Sequence, residues 1–91
     1  MKLVIPKNVI FEEVDRQVVL LSLDGGRYYK LNGSGTRIWM LIQEQGDLER
    51  VQEAMVAEYD ADPAEVRRDV AALVDDLRAH GLVEADETPP L

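Results

Sequence analysis

The side chains able to do chemistry are few and poorly placed for it. The single histidine is His80. Nucleophilic catalysis needs a base beside a hydroxyl, and neither Ser22 nor Ser34 has a histidine or lysine at a suggestive spacing. His80 falls in the last turn of an expected helix, where an imidazolium suits the negative end of the helix dipole. Asp75 and Asp76 are adjacent, but neighbours on a helix point about 100° apart, so they read as a solvated face rather than an acid–base couple. Asp60 and Asp62 flank a helix start and read as caps, not metal ligands. The chain has no cysteine, which removes a thiol nucleophile, a zinc–thiolate site and a disulfide framework. Asp24-Gly25-Gly26 and Asn32-Gly33-Ser34-Gly35 are glycine-rich. No P-loop lysine follows them and no parallel strand–loop–helix pattern surrounds them, which argues against a nucleotide site. The sequence points away from an enzyme and implies neither cofactor nor metal.

What remains is backbone chemistry, and it centres on Gly26-Arg27-Tyr28-Tyr29-Lys30-Leu31-Asn32. Two tyrosines and a leucine between glycine-bearing turns read as a short strand, with Arg27, Tyr29 and Leu31 on one face and Tyr28 and Lys30 on the other. The preceding run Gln17 to Leu23 reads as a second strand paired with it through an Asp24-Gly25-Gly26 turn. Val9 to Val14, closed by Asp15-Arg16, reads as the first strand. The run Val18 to Leu23 is apolar on both faces, so helices should cover one face and something should partly cover the other. The far edge of the Arg27–Leu31 strand is expected to stay free for a partner peptide.

From Asn32 the apolar period changes from 2 to 3.6. Asn32 reads as an N-cap, and a first helix should run from about residue 33 to Gln45, ending at Gly46. Its stripe is Ile38, Trp39, Leu41 and Ile42, with Gly35 allowing close approach of another element. Asp47 should cap a second helix carrying Leu48, Val51, Ala54, Met55 and Tyr59 inward. Asp62-Pro63-Ala64-Glu65 is the clearest local signal: a cap, a proline at the first helical position and a capping-box glutamate. The third helix should reach His80, with Gly81 beyond it. Val66, Val70, Leu73 and Leu77 form one inward stripe, and Arg67, Ala71, Val74 and Arg78 a neighbouring one.

Residues 1–83 are expected to form one domain. Residues 84–91 are expected to be an acidic, disordered tail. The 91 residues are 46% hydrophobic, enough for a core of their own. The amino-terminal apolar run is too short for a signal peptide, and none approaches the ~18 residues of a membrane span. These features, with the missing cysteines, fit a cytoplasmic protein with no membrane contact. The net charge of −8 is uneven: residues 1–31 carry +1 and residues 32–91 carry −9. Three helices and a small antiparallel sheet form a winged-helix-like α+β fold, which could suit a transcriptional regulator. Yet Arg67, Arg68 and Arg78 on the third helix face Asp69, Asp75 and Asp76. That balance cannot supply several phosphate contacts, so nucleic acid is not the expected partner.

Gly26-Arg27-Tyr28-Tyr29-Lys30-Leu31-Asn32, then Gly35 and Ile38-Trp39, then Asp69-Val70-Ala71-Ala72-Leu73-Val74-Asp75-Asp76-Leu77 ending in Gly81-Leu82, resembles the PqqD-like family. The resemblance covers roughly residues 9–83. It implies a RiPP recognition element, a non-catalytic module that binds the leader of a ribosomally made precursor peptide. It also implies a three-stranded antiparallel sheet packed on three helices, with the leader added as a fourth strand in a groove against the third helix. The strand positions implied are Arg27, Tyr28, Tyr29, Lys30 and Leu31. On the third helix Arg67, Val70, Ala71 and Val74 are the favoured positions, although no motif fixes which stripe faces the groove. Whether Trp39 binds or packs also stays open. Lys30 and Arg67 could pair with leader carboxylates. Within that family the chain looks most like the leader-binding partner of a lasso-peptide protease, working with that protease and possibly a cyclase. A PqqD-type peptide chaperone of cofactor biosynthesis is the alternative.

Overall fold

The computed structural model describes residues 1–86. Its elements in chain order are β1 (Lys2–Val4), β2 (Val9–Val14), β3 (Gln17–Ser22), β4 (Arg27–Leu31), α1 (Ser34–Gln45), α2 (Leu48–Glu58), α3 (Pro63–Ala79) and β5 (Glu84–Asp86). Strands β2, β3 and β4 form an antiparallel sheet in that order, and three helices follow, as expected of the α+β class.

Two tight turns set the sheet register. Asp15 and Arg16 both take positive φ, 50° and 65°, which gives the two-residue β2–β3 hairpin the twist of its strands. Val14 then faces Gln17 and Val9 faces Ser22. Across the next turn Ser22 faces Arg27 and Val18 faces Leu31. Alternation does the rest: Val18, Leu20 and Leu31 turn inward and are buried, while Ile10, Val19, Leu21, Tyr28 and Lys30 turn outward. Helices cover the inner face only. The expected partial cover on the outer face is absent among the described residues, where Ile10 is 50% and Tyr28 76% exposed.

The inner face, α1, α2 and α3 share one core around Trp39, which is fully buried and meets Phe11 edge-on at 5.6 Å between ring centres. Trp39 therefore packs rather than binds. Thr36 ties the first turn of α1 to the sheet: its hydroxyl lies 3.1 Å from the Leu31 carbonyl and 3.3 Å from that of Arg16. One hydroxyl proton serves these two acceptors.

Helix ends follow the sequence signals closely, with one exception. Gly46 closes α1, its amide donating to the Ile42 carbonyl at 2.9 Å. The Asp47 carboxylate accepts from the Arg50 amide, and Asp62 from the Ala64 amide, each at 3.1 Å. At the end of α3 the Leu82 amide reaches back to the Leu77 carbonyl and Gly81 to Arg78, with Gly81 at φ 71°. That is the Schellman arrangement, and the two residues it relates, Leu77 and Leu82, are both buried in the core. The exception is Asn32. The cap of α1 is Gly33, at φ 54° and ψ −128°, with no side-chain cap bond. The chain leaves β4 through a backbone conformation that favours glycine, and Asn32 contributes only its carbonyl, to the Gly35 amide.

Two further expectations are corrected. Glu84–Asp86 do not begin a disordered tail: they pair antiparallel with Lys2–Val4, Ala85 opposite Leu3, as a separate two-stranded sheet. Buried Leu3, Leu82 and Val83 draw the two chain ends onto the core, which gives this pairing its support. Residues 87–91, the remainder of the expected tail, lie outside the described residues. Tyr59 is not core; it ends α2 and is 40% exposed. No helix among the described residues is long and apolar enough to cross a membrane.

Removing the α3 cap with Asp62→Ala should cost about 0.5–2 kcal/mol. Urea unfolding should show this as a lower midpoint at an unchanged slope.

Candidate peptide-binding site

Strand β4 pairs with β3 on one side, and among the described residues nothing pairs on the other. In an antiparallel strand every second residue turns its amide and carbonyl away from its neighbour. The free side of β4 therefore presents a row of donors and acceptors over five residues, Arg27–Leu31. Arg27, Tyr28 and Lys30 are exposed, Tyr29 is half-buried and Leu31 is buried.

Helix α3 lies against the inner face of this edge, and three observations fix which side it shows. The Tyr29 hydroxyl donates to the Asp76 carboxylate. The Tyr29 ring meets the His80 imidazole edge-on, 5.1 Å between centres. A Cβ built on Gly35 would lie 3.4 Å from a Leu31 methyl and 3.7 Å from a Leu73 methyl, so Leu31, Gly35 and Leu73 come together. Leu73, Asp76 and His80 follow the three- and four-residue steps of one helix face. The floor between β4 and α3 is thus polar at the Tyr29–Asp76–His80 end and apolar at the Leu31–Leu73 end. Nearer the start of α3, a hollow of about 190 Å³ is lined by Ser34, Ile38, Tyr59, Val66, Asp69 and Val70, among others.

His80 Nδ1 sits 2.8 Å from the Asp76 carbonyl. A carbonyl only accepts, so this ring nitrogen carries a proton. The Tyr29 phenol is held above its ordinary value near 10, first by its hydrogen bond to Asp76, then by burial and the negative charge of that carboxylate.

The strand positions singled out from sequence all lie on this edge. Those on α3 do not gather there. Val74 is fully buried and Val70 is 1% exposed, both within the core. Ala71 is half-buried. Arg67 is exposed, but its carbonyl accepts from Gln52 Nε2 of α2 at 2.9 Å, which places that side of α3 toward α2. Leu73, which the sequence pattern places inward, is half-buried beside Leu31, and Asp76 and His80, which read as solvated face and helix end, lie at Tyr29. The face that reaches β4, Leu73 with Asp76 and His80, is neither of the two stripes the sequence offers on α3; the rotation of the helix decides it.

A hollow of about 670 Å³ opens at the β2–β3 turn and mixes Glu13, Asp15, Arg16 and Arg37. Its Arg37 is already engaged with both oxygens of Glu58. No group of three or more metal-ligating side chains occurs among the described residues.

An open strand border with a helix laid beneath it is the geometry that strand-addition modules present to an extended peptide. The chain belongs to the PqqD family, described as Coenzyme PQQ synthesis protein D, whose profile matches residues 17–83. The proteins of this family are non-catalytic and bind peptides. The fold is similar to that of a solved structure described as TbiB1 in complex with the TbiA(beta) leader peptide. That pair shares 35% identity and a TM-score of 0.85, over 97% of this chain and 100% of that one. It is also similar to lasso peptide synthetase B1 complexed with the leader peptide, at 24% identity and a TM-score of 0.83, over 93% and 100%. No curated protein sequence matches the chain.

Val74→Glu should unfold the domain rather than merely block a ligand. An unpaired carboxylate in that core costs about 3–5 kcal/mol, visible as lost helical circular dichroism. Tyr29→Phe should lower stability by about 1 kcal/mol at neutral pH. The raised phenol favours the folded state while protonated. The wild-type advantage is therefore full below the unfolded value near 10 and should vanish as pH rises through the folded-state value. Paired denaturation curves at pH 7 and above pH 10 check this.

Proposed function

We propose that this chain is a leader-peptide recognition element. It captures the leader of a ribosomally made precursor by adding it as a fourth strand along β4, over the groove formed with α3, and delivers the precursor to processing enzymes. The observation that carries this reading is the unpaired β4 edge with Tyr29 and Leu31 meeting Asp76 and Leu73 beneath it. The 35% identical relative, described in complex with a leader peptide, supports it. The recognition domain on this reading spans residues 1–83, with Glu84–Asp86 joined to it through β5.

The energetics suit the proposal. Four to six ladder bonds contribute roughly 0.5–1.5 kcal/mol net each. Ordering a flexible peptide offsets much of that. One or two apolar side chains buried against Leu31 and Leu73 would add about 1.5–3 kcal/mol each. The sum approaches the ~8 kcal/mol of micromolar binding. Backbone pairing supplies a general grip, and the groove supplies choice. Of the residues singled out from sequence, Arg27, Tyr28, Tyr29, Lys30 and Leu31 keep their proposed role. On α3 that role passes to Leu73, Asp76 and His80.

We infer a lasso-peptide pathway, with a leader protease and a cyclase as the enzymes served; the sequence resemblance supports this. The family description favours a second reading, a peptide chaperone of cofactor biosynthesis. Affinity for one leader over the other separates the two. A DNA-binding winged helix is not supported: Arg78 lies 4.0 Å from Asp75, and the exposed arginines of α3 are interleaved with aspartates.

Calorimetric titration with the leader of the precursor encoded beside this protein should give micromolar affinity. Binding should slow amide exchange at alternate β4 residues. Leu73→Glu should weaken it at least about tenfold while circular dichroism stays native. No binding by folded wild-type protein at about 100 μM would refute the proposal.

A further inference from the structure

The outer face of the sheet has a side-chain pattern that backbone pairing of a leader along the β4 edge does not use, even where Tyr28 and Lys30 belong to both. The register places Ile10, Leu21 and Tyr28 in one row across β2, β3 and β4, and Glu12, Val19 and Lys30 in the next. Each row is apolar at its centre, on β3. The second row ends in an acid on one border and a base on the other. Beside Leu21 and Val19 lies a hollow of about 210 Å³, also lined by Ile10 and Glu12. On the opposite border Tyr28 stands 76% exposed, a projecting ring with no hydrogen-bond partner among the described residues that would hold it down.

A twofold axis running along β3 superposes each half of this face on the other. It brings Tyr28 of one copy over the Ile10 hollow of the second, Leu21 onto Leu21, Val19 onto Val19, and Glu12 opposite Lys30. Every feature finds its complement in the same operation, as an isologous interface requires. We propose that this face is the contact between two copies of the chain, packed sheet to sheet with strands within about 30° of each other. Three strands about 4.8 Å apart make a narrow face. It falls well short of the roughly 800 Å² per partner of a standard interface, so the dimer is weak and reversible. The amides of β4 point along the sheet plane, not out of this face. Both peptide-binding borders therefore stay open, on opposite flanks of the dimer.

Sedimentation equilibrium of the full chain tests this across about 5 μM to 1 mM, the range a weak interface requires. The mass should rise from 10.3 kDa toward twice that value. Leu21→Lys sets two like charges on the axis and should hold the chain monomeric with native circular dichroism. Ile10→Lys, at a more exposed position on β2, gives the same result should the Leu21 variant fold poorly. Glu12→Lys and Lys30→Glu should each weaken association about two- to fivefold, and the double reversal should restore it. A chain that stays monomeric throughout leaves the face to a different protein and overturns the proposal. So does a dimer that survives both lysine substitutions, since it must pair elsewhere, the β4 border included.

Discussion

The hydrogen-bonding groups along the free side of β4 constrain everything else in the molecule. They must meet water or another backbone, because a buried unpaired amide or carbonyl costs about 1–3 kcal/mol. The chain's two remaining strands do not close this border. Lys2–Val4 and Glu84–Asp86 pair with each other in a separate ribbon. The sheet consequently ends at Arg27–Leu31, with helix α3 beneath the border rather than across it.

The sheet has a second free border at β2, and the two differ in what lies inside them. At β2 the inward Phe11 packs on Trp39, and Glu12-Glu13 place two consecutive charges on the strand. Charges on an edge discourage pairing. At β4 the inward side chains reach α3 directly, Tyr29 through Asp76 and Leu31 through Leu73. A strand laid along β4 would therefore find a wall at side-chain distance, as well as a ladder. The border that carries a groove is the one suited to selective recognition, since backbone bonding alone does not distinguish one extended peptide from another.

Much of the fold was legible because its signals are local. Asp47, Asp62-Pro63 and Gly46 mark helix ends through bonds that span three or four residues, and they appear where expected. The strand Arg27–Leu31 is bounded by turns that its own glycines specify. What escaped depends on contacts distant in sequence. Three residues, Glu84–Asp86, carry no strand signal of their own and become a strand only because Lys2–Val4 is there to receive them. Asn32 has the chemistry of a cap, but leaving the sheet requires the backbone that Gly33 adopts one residue later. The rotation of α3 is a similar case. At 100° per residue the Arg67–Ala71–Val74 stripe and the Leu73–Asp76–His80 face lie about 160° apart around the helix, on nearly opposite sides. Tyr29 decides between them by bonding Asp76, 47 positions away.

That rotation links the core to the site. Val66, Val70, Val74 and Leu77 pack into the same cluster as Val18, Leu20 and Trp39, and interiors packed this closely admit few alternative helix orientations. The buried valines of α3 fix the height and roll at which Leu73 and Asp76 meet β4. Burial of Val74 and accessibility of the adjacent Leu73 are consequences of one packing arrangement. A change of volume at Val70 or Val74 would be expressed at the groove as a displaced floor, even where the domain survives it. On the proposed reading, the open backbone of β4 would give family-level recognition, and choice among peptides would follow from how the core sets α3 beneath it.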